Sequence, residues 1–311
     1  MDMTDKFKKC TLCPRKCGIN RYEKTGFCSM GADAVVNIAM IHHGEEPPVS
    51  GFDSENDSRG SGAVFFEGCS LKCPFCQNRS ISQGPTGKGQ KCSADDLAKI
   101  YLSLKWDGAY NINLVTASHF APIVAESISK ARERGLTIPV IYNCGGYESV
   151  ETLKMFEGLV DIYMPDFKFW DEKLSGEILN VTDYREVAIA AIDEMFRQTG
   201  PAVIDEDTHM MKKGIIVRHL MMPGQLFDTK KILDHLTSKY GNDIFISLMN
   251  QYTPMPYLDF TPAPRKDILM RTVSLGHYDS AVDYLVDHDQ YNAFVQDSSS
   301  QGDTMIPPFR I

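Results

Sequence analysis

Six short apolar segments separated by amphipathic stretches constrain this chain more than any other feature. They read "GAVFFEG", "YNINLVT", "IPVIYN", "VDIYMPD", "GIIVRHLMMPG" and "DIFISLMN" between residues 62 and 250. The intervening segments carry helix signals. Ser93 stands before Asp95 and Asp96 as an N-cap with acidic residues in the first turn, and Gly135 closes "APIVAESISKARERG". Strand-helix alternation of this kind builds right-handed parallel units. The expected fold is therefore α/β, a partial (β/α)6 TIM-like barrel. A small Cys-rich N-terminal extension and a helical C-terminal tail flank it. The expected domains are residues 1–60 (extension and linker), 61–270 (barrel) and 271–311 (C-terminal helix and flexible tail), with the boundary in the polar, glycine-rich "SGFDSENDSRGSG".

In parallel α/β folds the chemistry collects at the C-terminal ends of the strands. The first strand is followed by "GCSLKCPFCQN", which places Cys69, Cys73 and Cys76 within eight positions. A tight C-x3-C-x2-C loop can wrap one face of a cubane iron–sulfur cluster, leaving one iron without a protein ligand. An open metal position is where a cofactor or substrate binds. The other readings are a zinc site completed by a further His or Cys, or cysteines that are simply buried. The later strands end in "TASH" (Thr116 to His119), "NCGGY" (Asn143 to Tyr147), "PDFK" (Asp166 and Lys168), "RHLMMPG" (Arg218 to Gly224) and "NQYTPMP" (Asn250 to Pro256). One large site at the barrel mouth accounts for all of them.

The N-terminal "CTLCPRKCGINRYEKTGFC" spaces Cys10, Cys13, Cys17 and Cys28 as C-x2-C-x3-C-x10-C, a full ligand set for one zinc or one further iron–sulfur cluster. Nine cysteines clustered at short spacing do not suit a disulfide framework. Cys92 and Cys144 have no partner at ligand spacing and read as buried thiols. His42, His43, Glu45 and Glu46 in "IHHGEEPPVSG" belong either to the rim of the site or to a solvated loop. A net charge of −9 gives no electrostatic reason to expect nucleic acid. "MDMTDKFKKC" has no secretory apolar region and no run reaches the roughly 18 apolar residues of a membrane helix. The expected location is cytoplasmic, with no membrane partner.

Cys69-x3-Cys73-x2-Cys76, with aromatic Phe75 before the last cysteine, resembles the signature of the radical S-adenosylmethionine superfamily, and within it the branch of the pyruvate formate-lyase activating enzymes. The resemblance covers about residues 61–260. It implies a 4Fe-4S cluster on the three cysteines, whose open iron chelates S-adenosyl-L-methionine. Reductive cleavage then yields a 5′-deoxyadenosyl radical that abstracts hydrogen. It also implies cofactor contacts from Phe75, Asn143, Asp166 and Lys168, a low-potential flavodoxin- or ferredoxin-like electron donor, and a protein or peptide substrate such as a glycyl radical enzyme. Many members carry G-G-E where this chain has "TASH". Thr116, Ser118 and His119 supply the hydrogen-bonding groups there instead, and Ser118 joins the expected cofactor contacts. Two other classes fit the cysteines: an electron-transfer iron–sulfur protein and a zinc-binding adaptor without catalysis.

Overall fold

The computed structural model describes residues 6–52, 57–259, 265–296 and 307–310. From the N-terminus the chain forms β1 (Ala34–His42), α1 (Pro47–Ser50), β2 (Ser61–Phe66), α2 (Arg79–Ser82), β3 (Gln90–Cys92), α3 (Ala94–Trp106) and β4 (Asn111–Val115). It continues through α4 (Ala121–Glu133), β5 (Val140–Cys144), α5 (Val150–Leu153), β6 (Ile162–Pro165), α6 (Glu172–Leu179) and α7 (Tyr184–Thr199). Then come β7 (Val203–Ile204), β8 (Met211–Leu220), α8 (Leu226–Tyr240), β9 (Phe245–Met249), α9 (Lys266–Leu269), α10 (Leu275–Asp287) and β10 (Ala293–Val295). Among the described residues no helix is long and apolar enough to cross a membrane.

The strands order as β10-β9-β8-β6-β5-β4-β2-β1-β3. Along that order all neighbours from β2 to β10 run parallel, whereas β1 is antiparallel to both β2 and β3, and the two-residue β7 pairs antiparallel with β8 off the path. The six expected strands are thus β2, β4, β5, β6, β8 and β9. Period-2 alternation sorts their side chains between two faces. Val64, Phe66, Leu114, Tyr142, Tyr163 and Val217 pack into the large core under the helices. On the other face Ile141, Ile162, Met164 and Ile216 gather around Val49 of α1. That face is concave, because side chains from β4 and β8, with β5 and β6 between them, meet on one carboxylate, that of Glu45.

Local signals explain several boundaries. Ser93 Oγ accepts from Asp96 N at 3.2 Å while Asp96 Oδ2 accepts from Ser93 N at 3.1 Å, a capping box that starts α3. Gly135, at φ +95°, lets the chain turn out of α4. Two segments depart from expectation. The boundary expected near residue 61 falls between two paired strands, since β1 lies in the stretch read as extension and linker and pairs with β2 along its length. The segment read as one C-terminal helix ends at Asp287, and residues 293–295 pair with the edge of β9 as β10. Residues 297–306 of the tail read as flexible, and 53–56 of the linker, lie outside the described residues.

The N-terminal cysteine segment packs as part of the same body. Phe7, Leu12 and Met30 are buried in the main core. Arg21, 2% exposed, donates to the carbonyls of His119 and Gly31 and lies over the rings of Phe7 and Phe120.

Candidate functional site at the barrel mouth

The loop after β2 is held from beneath. Glu67 is fully buried; its Oε1 accepts from Asn37 Nδ2 at 2.7 Å and Thr86 Oγ1 at 2.6 Å, and its Oε2 from Thr86 N at 3.1 Å. Asn37 also clamps the C-terminal segment: its Nδ2 donates to Arg310 O and its Oδ1 accepts from Arg310 N, both at 2.9 Å, while Phe309 packs edge-on against Phe65. At Gly68, φ +81°, a Cβ would stand 2.3 Å from Met30 Cγ and 2.7 Å from the Cys28 carbonyl, so only glycine lets the loop pass the N-terminal segment. Arg15 pins the two together, donating from Nε to Ser70 O at 3.0 Å, with Lys72 Nζ on Ser29 Oγ.

Cys69, Cys73 and Cys76 of that loop all line one cavity of about 670 Å³ at the C-terminal ends of the strands. Cys73 is buried and Cys76 partly buried, and desolvation pushes both thiols up. Facing them is the Asp166–Lys168 ion pair. Burial alone would lower the Lys168 pKa, but Asp166 and then Cys73 raise it further than burial lowers it. Thus the ammonium stays charged near Cys73. Phe75 lines the same cavity, edge-on to Phe169 and tilted on Tyr252, and Asn143 enters it from the end of β5.

The backbone under Asp166 and Lys168 is tightly fixed. The Tyr184 hydroxyl accepts from Lys168 N at 2.9 Å and lies 2.9 Å from the carbonyls of both Gly145 and Asp166. A Cβ on Gly146, φ +76°, would sit 2.0 Å from the Asp166 carbonyl oxygen. Gly146→Ala is expected to destabilise the fold by about 3 kcal/mol or more, from left-handed strain of about 1–2 kcal/mol and overpacking of about 1–3 kcal/mol. Gly158 has the same φ with nothing within 4 Å of its Cβ, so Gly158→Ala should show the strain alone. Urea midpoints of the two variants check this; equal losses would count against the contact.

The "TASH" turn departs from expectation. Only Thr116 lines the cavity. Ser118 is 2% exposed and donates to Glu148 Oε1 at 2.8 Å, beneath the mouth. Tyr142 donates to the other oxygen, and burial pushes the Glu148 carboxyl up to about 7. His119 Nε2 sits 2.7 Å from the Glu67 carbonyl. After β9, Gln251 and Tyr252 reach the cavity, whereas Asn250 is fully buried. Conversely, the whole stretch from His42 to Pro47 lines it, and with Arg218 it forms the floor. Cys144 lines it too, while Cys92 is buried on β3. Phe294, Gln296 and Pro307, which no motif marks, complete the wall.

The four N-terminal thiols share one neighbourhood. The sulfurs of Cys17 and Cys28 both lie beside Gly26, at 3.6 and 3.5 Å from where its Cβ would be. Cys10, Cys13 and Cys28 are buried, and Cys13, pushed up to about 12 by burial, also feels the charges of Cys28 and Cys10. Among the described residues no group of three or more His, Cys, Asp or Glu converges on a point that would hold a single metal ion. A cubane cluster takes its thiolates at separate corners, so the loop that spreads Cys69, Cys73 and Cys76 along a cavity wall suits a cluster better than one ion.

Fold and site define an α/β protein with a partial barrel whose mouth carries a three-thiol loop. No family model matches the chain. The "Uncharacterized protein MJ0674" of Methanocaldococcus jannaschii is 29% identical over 254 residues, covering 80% of this chain and 67% of the relative. Among solved structures, Streptococcus suis SuiB bound to precursor peptide SuiA is 14% identical with a TM-score of 0.49, over 74% of this chain and 46% of SuiB. A domain of pyruvate-formate lyase-activating enzyme from Bacteroides vulgatus is 13% identical with a TM-score of 0.40, over 57% of this chain and 91% of the domain. A radical SAM methyltransferase from Sphaerobacter thermophilus is 13% identical with a TM-score of 0.48, over 76% of this chain and 66% of the methyltransferase. The chain spans about half the length of SuiB.

Proposed function

We propose that this chain is a radical S-adenosylmethionine iron–sulfur enzyme acting on a protein or peptide, in the manner of an activating enzyme for a glycyl radical enzyme. The observation that carries the reading is the presence of Cys69, Cys73 and Cys76 together on the wall of a cavity at the strand C-termini, opposite Asp166 and Lys168. When bound, the 4Fe-4S cluster supplies the electron that cleaves S-adenosyl-L-methionine to methionine and a hydrogen-abstracting 5′-deoxyadenosyl radical. The chain's part is positioning. Lys168 and Asp166 offer a donor and an acceptor to the cofactor's polar groups, Asn143 adds an amide, and Phe75 supplies an aromatic face. The apolar wall around them limits water at the reacting atoms. A cavity of about 670 Å³ lies within the range of about 300–1,000 Å³ that cofactor sites occupy.

In this reading Cys10, Cys13, Cys17 and Cys28 are the ligands of a second metal, zinc or an auxiliary cluster, and their lack of convergence on one single-ion point among the described residues favours the cluster. A low-potential flavodoxin- or ferredoxin-like protein is the electron donor, and the enzyme works in the cytoplasm. The test is anaerobic reconstitution with iron and sulfide, reduction, addition of S-adenosylmethionine and quantification of 5′-deoxyadenosine by mass spectrometry. The expected result is formation of the nucleoside and a change in the cluster spectrum on adding the cofactor. A loaded cluster blind to S-adenosylmethionine would identify an electron-transfer protein instead. A colourless protein with stoichiometric zinc and no labile sulfide would identify an adaptor.

A further inference from the structure

The Arg21 guanidinium is a buried cation bonded only to neutral acceptors. Its side chain is 2% exposed; Nη1 donates to the His119 carbonyl and Nη2 to the Gly31 carbonyl. Nε, a further donor, has no partner among the described residues. The acids around the N-terminal segment are committed elsewhere. Glu23 accepts from Asn20, Glu67 from Asn37 and Thr86, Glu148 from Ser118 and Tyr142, and Glu151 from Ser149. His119 is kept neutral by burial and then by Arg21 itself, which together push it down to about 3. A buried charge without a counter-charge is costly unless a ligand supplies one.

A second set of observations says where that ligand sits. Nη1 of Arg21 also reaches Cys10 Sγ, at 4.0 Å. Burial pushes the Cys28 thiol up, and the Arg21 charge pulls against it. Lys72 and Arg15 bring two more cations whose hydrogen bonds go to a hydroxyl and to carbonyls: Lys72 Nζ to Ser29 Oγ, and the Arg15 fork to the carbonyls of Ser70, Leu179 and Asn180. Burial lowers the Lys72 pKa, and the sulfurs of Cys28 and Cys69 oppose that. Backbone amides are aimed at the sulfurs as well. Phe27 N donates to Cys17 Sγ at 3.3 Å, Arg15 N to Cys13 and Met30 N to Cys28. Amides and cations gathered on sulfur favour thiolate over thiol. Burial outweighs them at Cys13 and Cys28, so the thiolates form when a metal displaces their protons.

We propose that Arg21 is the counter-cation of a metal–thiolate centre on Cys10, Cys13, Cys17 and Cys28. Four thiolates outweigh the charge of a divalent ion or of an iron–sulfur core, so either centre is anionic and supplies the negative charge that Arg21 otherwise lacks. The inference deepens the second-metal reading and rests on it, but not on the radical chemistry. Arg21 acts here as a positioning residue, which sets how firmly the thiolates hold their metal.

The test follows Cys17, which is partly exposed where the other three are buried. The full chain is made metal-free and reduced, then loaded either with iron and sulfide or with zinc alone, without S-adenosylmethionine. Iodoacetamide labelling is mapped by peptide mass spectrometry, so that the N-terminal thiols and the Cys69 loop are read separately. Loading with at least one of the two is expected to protect Cys17 in the natural chain, and which one does so identifies the centre. Two variants then separate charge from shape: Arg21→Lys keeps the charge, Arg21→Gln removes it, and both lose the fork. The EDTA concentration that restores half of the labelling is expected to fall about 10–100-fold in Arg21→Gln, the usual loss when an outer partner of a metal ligand is disturbed, and to change little in Arg21→Lys. A merely structural arginine would weaken both variants alike, and that result would overturn the proposal, as would an Arg21→Gln chain that holds its metal as firmly as the natural one. Cys17 labelling unchanged by either loading would overturn it on the natural chain alone, whatever the variants' stability; protection confined to the Cys69 loop would do the same while leaving the radical reading intact.

Discussion

Cys73→Ala, reconstituted and reduced beside the natural chain, is expected to yield no 5′-deoxyadenosine above background while keeping its fold. The two halves of that result come from different physics. Cys73 is 7% exposed and bonded to nothing that shapes the barrel, so as a small hydrophobe its truncation should cost about 1 kcal/mol. As one of three ligands its loss is far larger: disturbing even the outer partners of a metal ligand costs about 10–100-fold in affinity or activity. Iron bound per chain at this site should fall with the product, and the unfolding midpoint should barely move. Cys92→Ala is the matching control, since its sulfur lies on β3 in the core, outside the cavity, and donates to the Gln90 carbonyl; the product should persist. Nucleoside formation by Cys73→Ala at the natural rate would remove the thiol loop from the mechanism. Loss of both product and fold would instead mark Cys73 as a packing residue.

What could be read from the sequence follows from which constraints are local. The six parallel strands were legible because both of their faces are buried, so each reads as a short continuous apolar run bounded by polar turns, and the strand ends then located Cys69, Asn143, Asp166 and Lys168. The orientation of a turn is not written that way. Thr116 adopts φ +61°, and the chain swings Ser118 inward to Glu148 and His119 onto the Glu67 carbonyl, so two of the polar residues that followed β4 serve the interior. The floor was the least legible part. Glu45 and Glu46 precede β2 by some fifteen residues in a stretch that reads as readily as a solvated loop, and only the antiparallel return of β1 carries them beneath the concave face onto Arg218. β10 was hidden for a related reason. Ala293–Val295 follows α10 with no turn signal strong enough to end a helical reading, and the open edge of β9 decides its conformation.

Arg218→Met should be the most destabilising single change in the cavity, and the stability it loses relative to the natural chain should grow as pH rises. Removing one partner of a buried ion pair costs about 3–5 kcal/mol because the other is left uncompensated, and here two carboxylates are left. The sign follows from Glu46. Burial alone would raise its pKa, but the charge and hydrogen bonding of Arg218, with the hydrogen bonds of Ser247 and the backbone, together outweigh burial and hold it below the ordinary carboxylate range. A depressed native pKa contributes stability that is present above the unfolded value of about 4.3 and is lost as pH falls through the native one. Between pH 5 and 7.5 that contribution is complete and flat. Without Arg218, burial, the largest single effect, is opposed only by the Ser247 and backbone hydrogen bonds, so Glu46 is expected to move above its unfolded value, and its contribution then declines as pH rises from about 4.3 toward the new native pKa, by up to about 1.4 kcal/mol per unit. Urea unfolding at pH 5 and pH 7.5 should find the loss in Arg218→Met, taken against the natural chain at the same pH, smaller at the lower pH by about 1–3 kcal/mol. Adding Glu45→Gln and Glu46→Gln to the variant removes the charges that Arg218 balances, and should recover most of the loss at pH 7.5 while abolishing the slope. A slope that survives the two glutamines would place its origin elsewhere, and one absent from Arg218→Met itself would mean that water reaches the floor freely enough to screen both carboxylates.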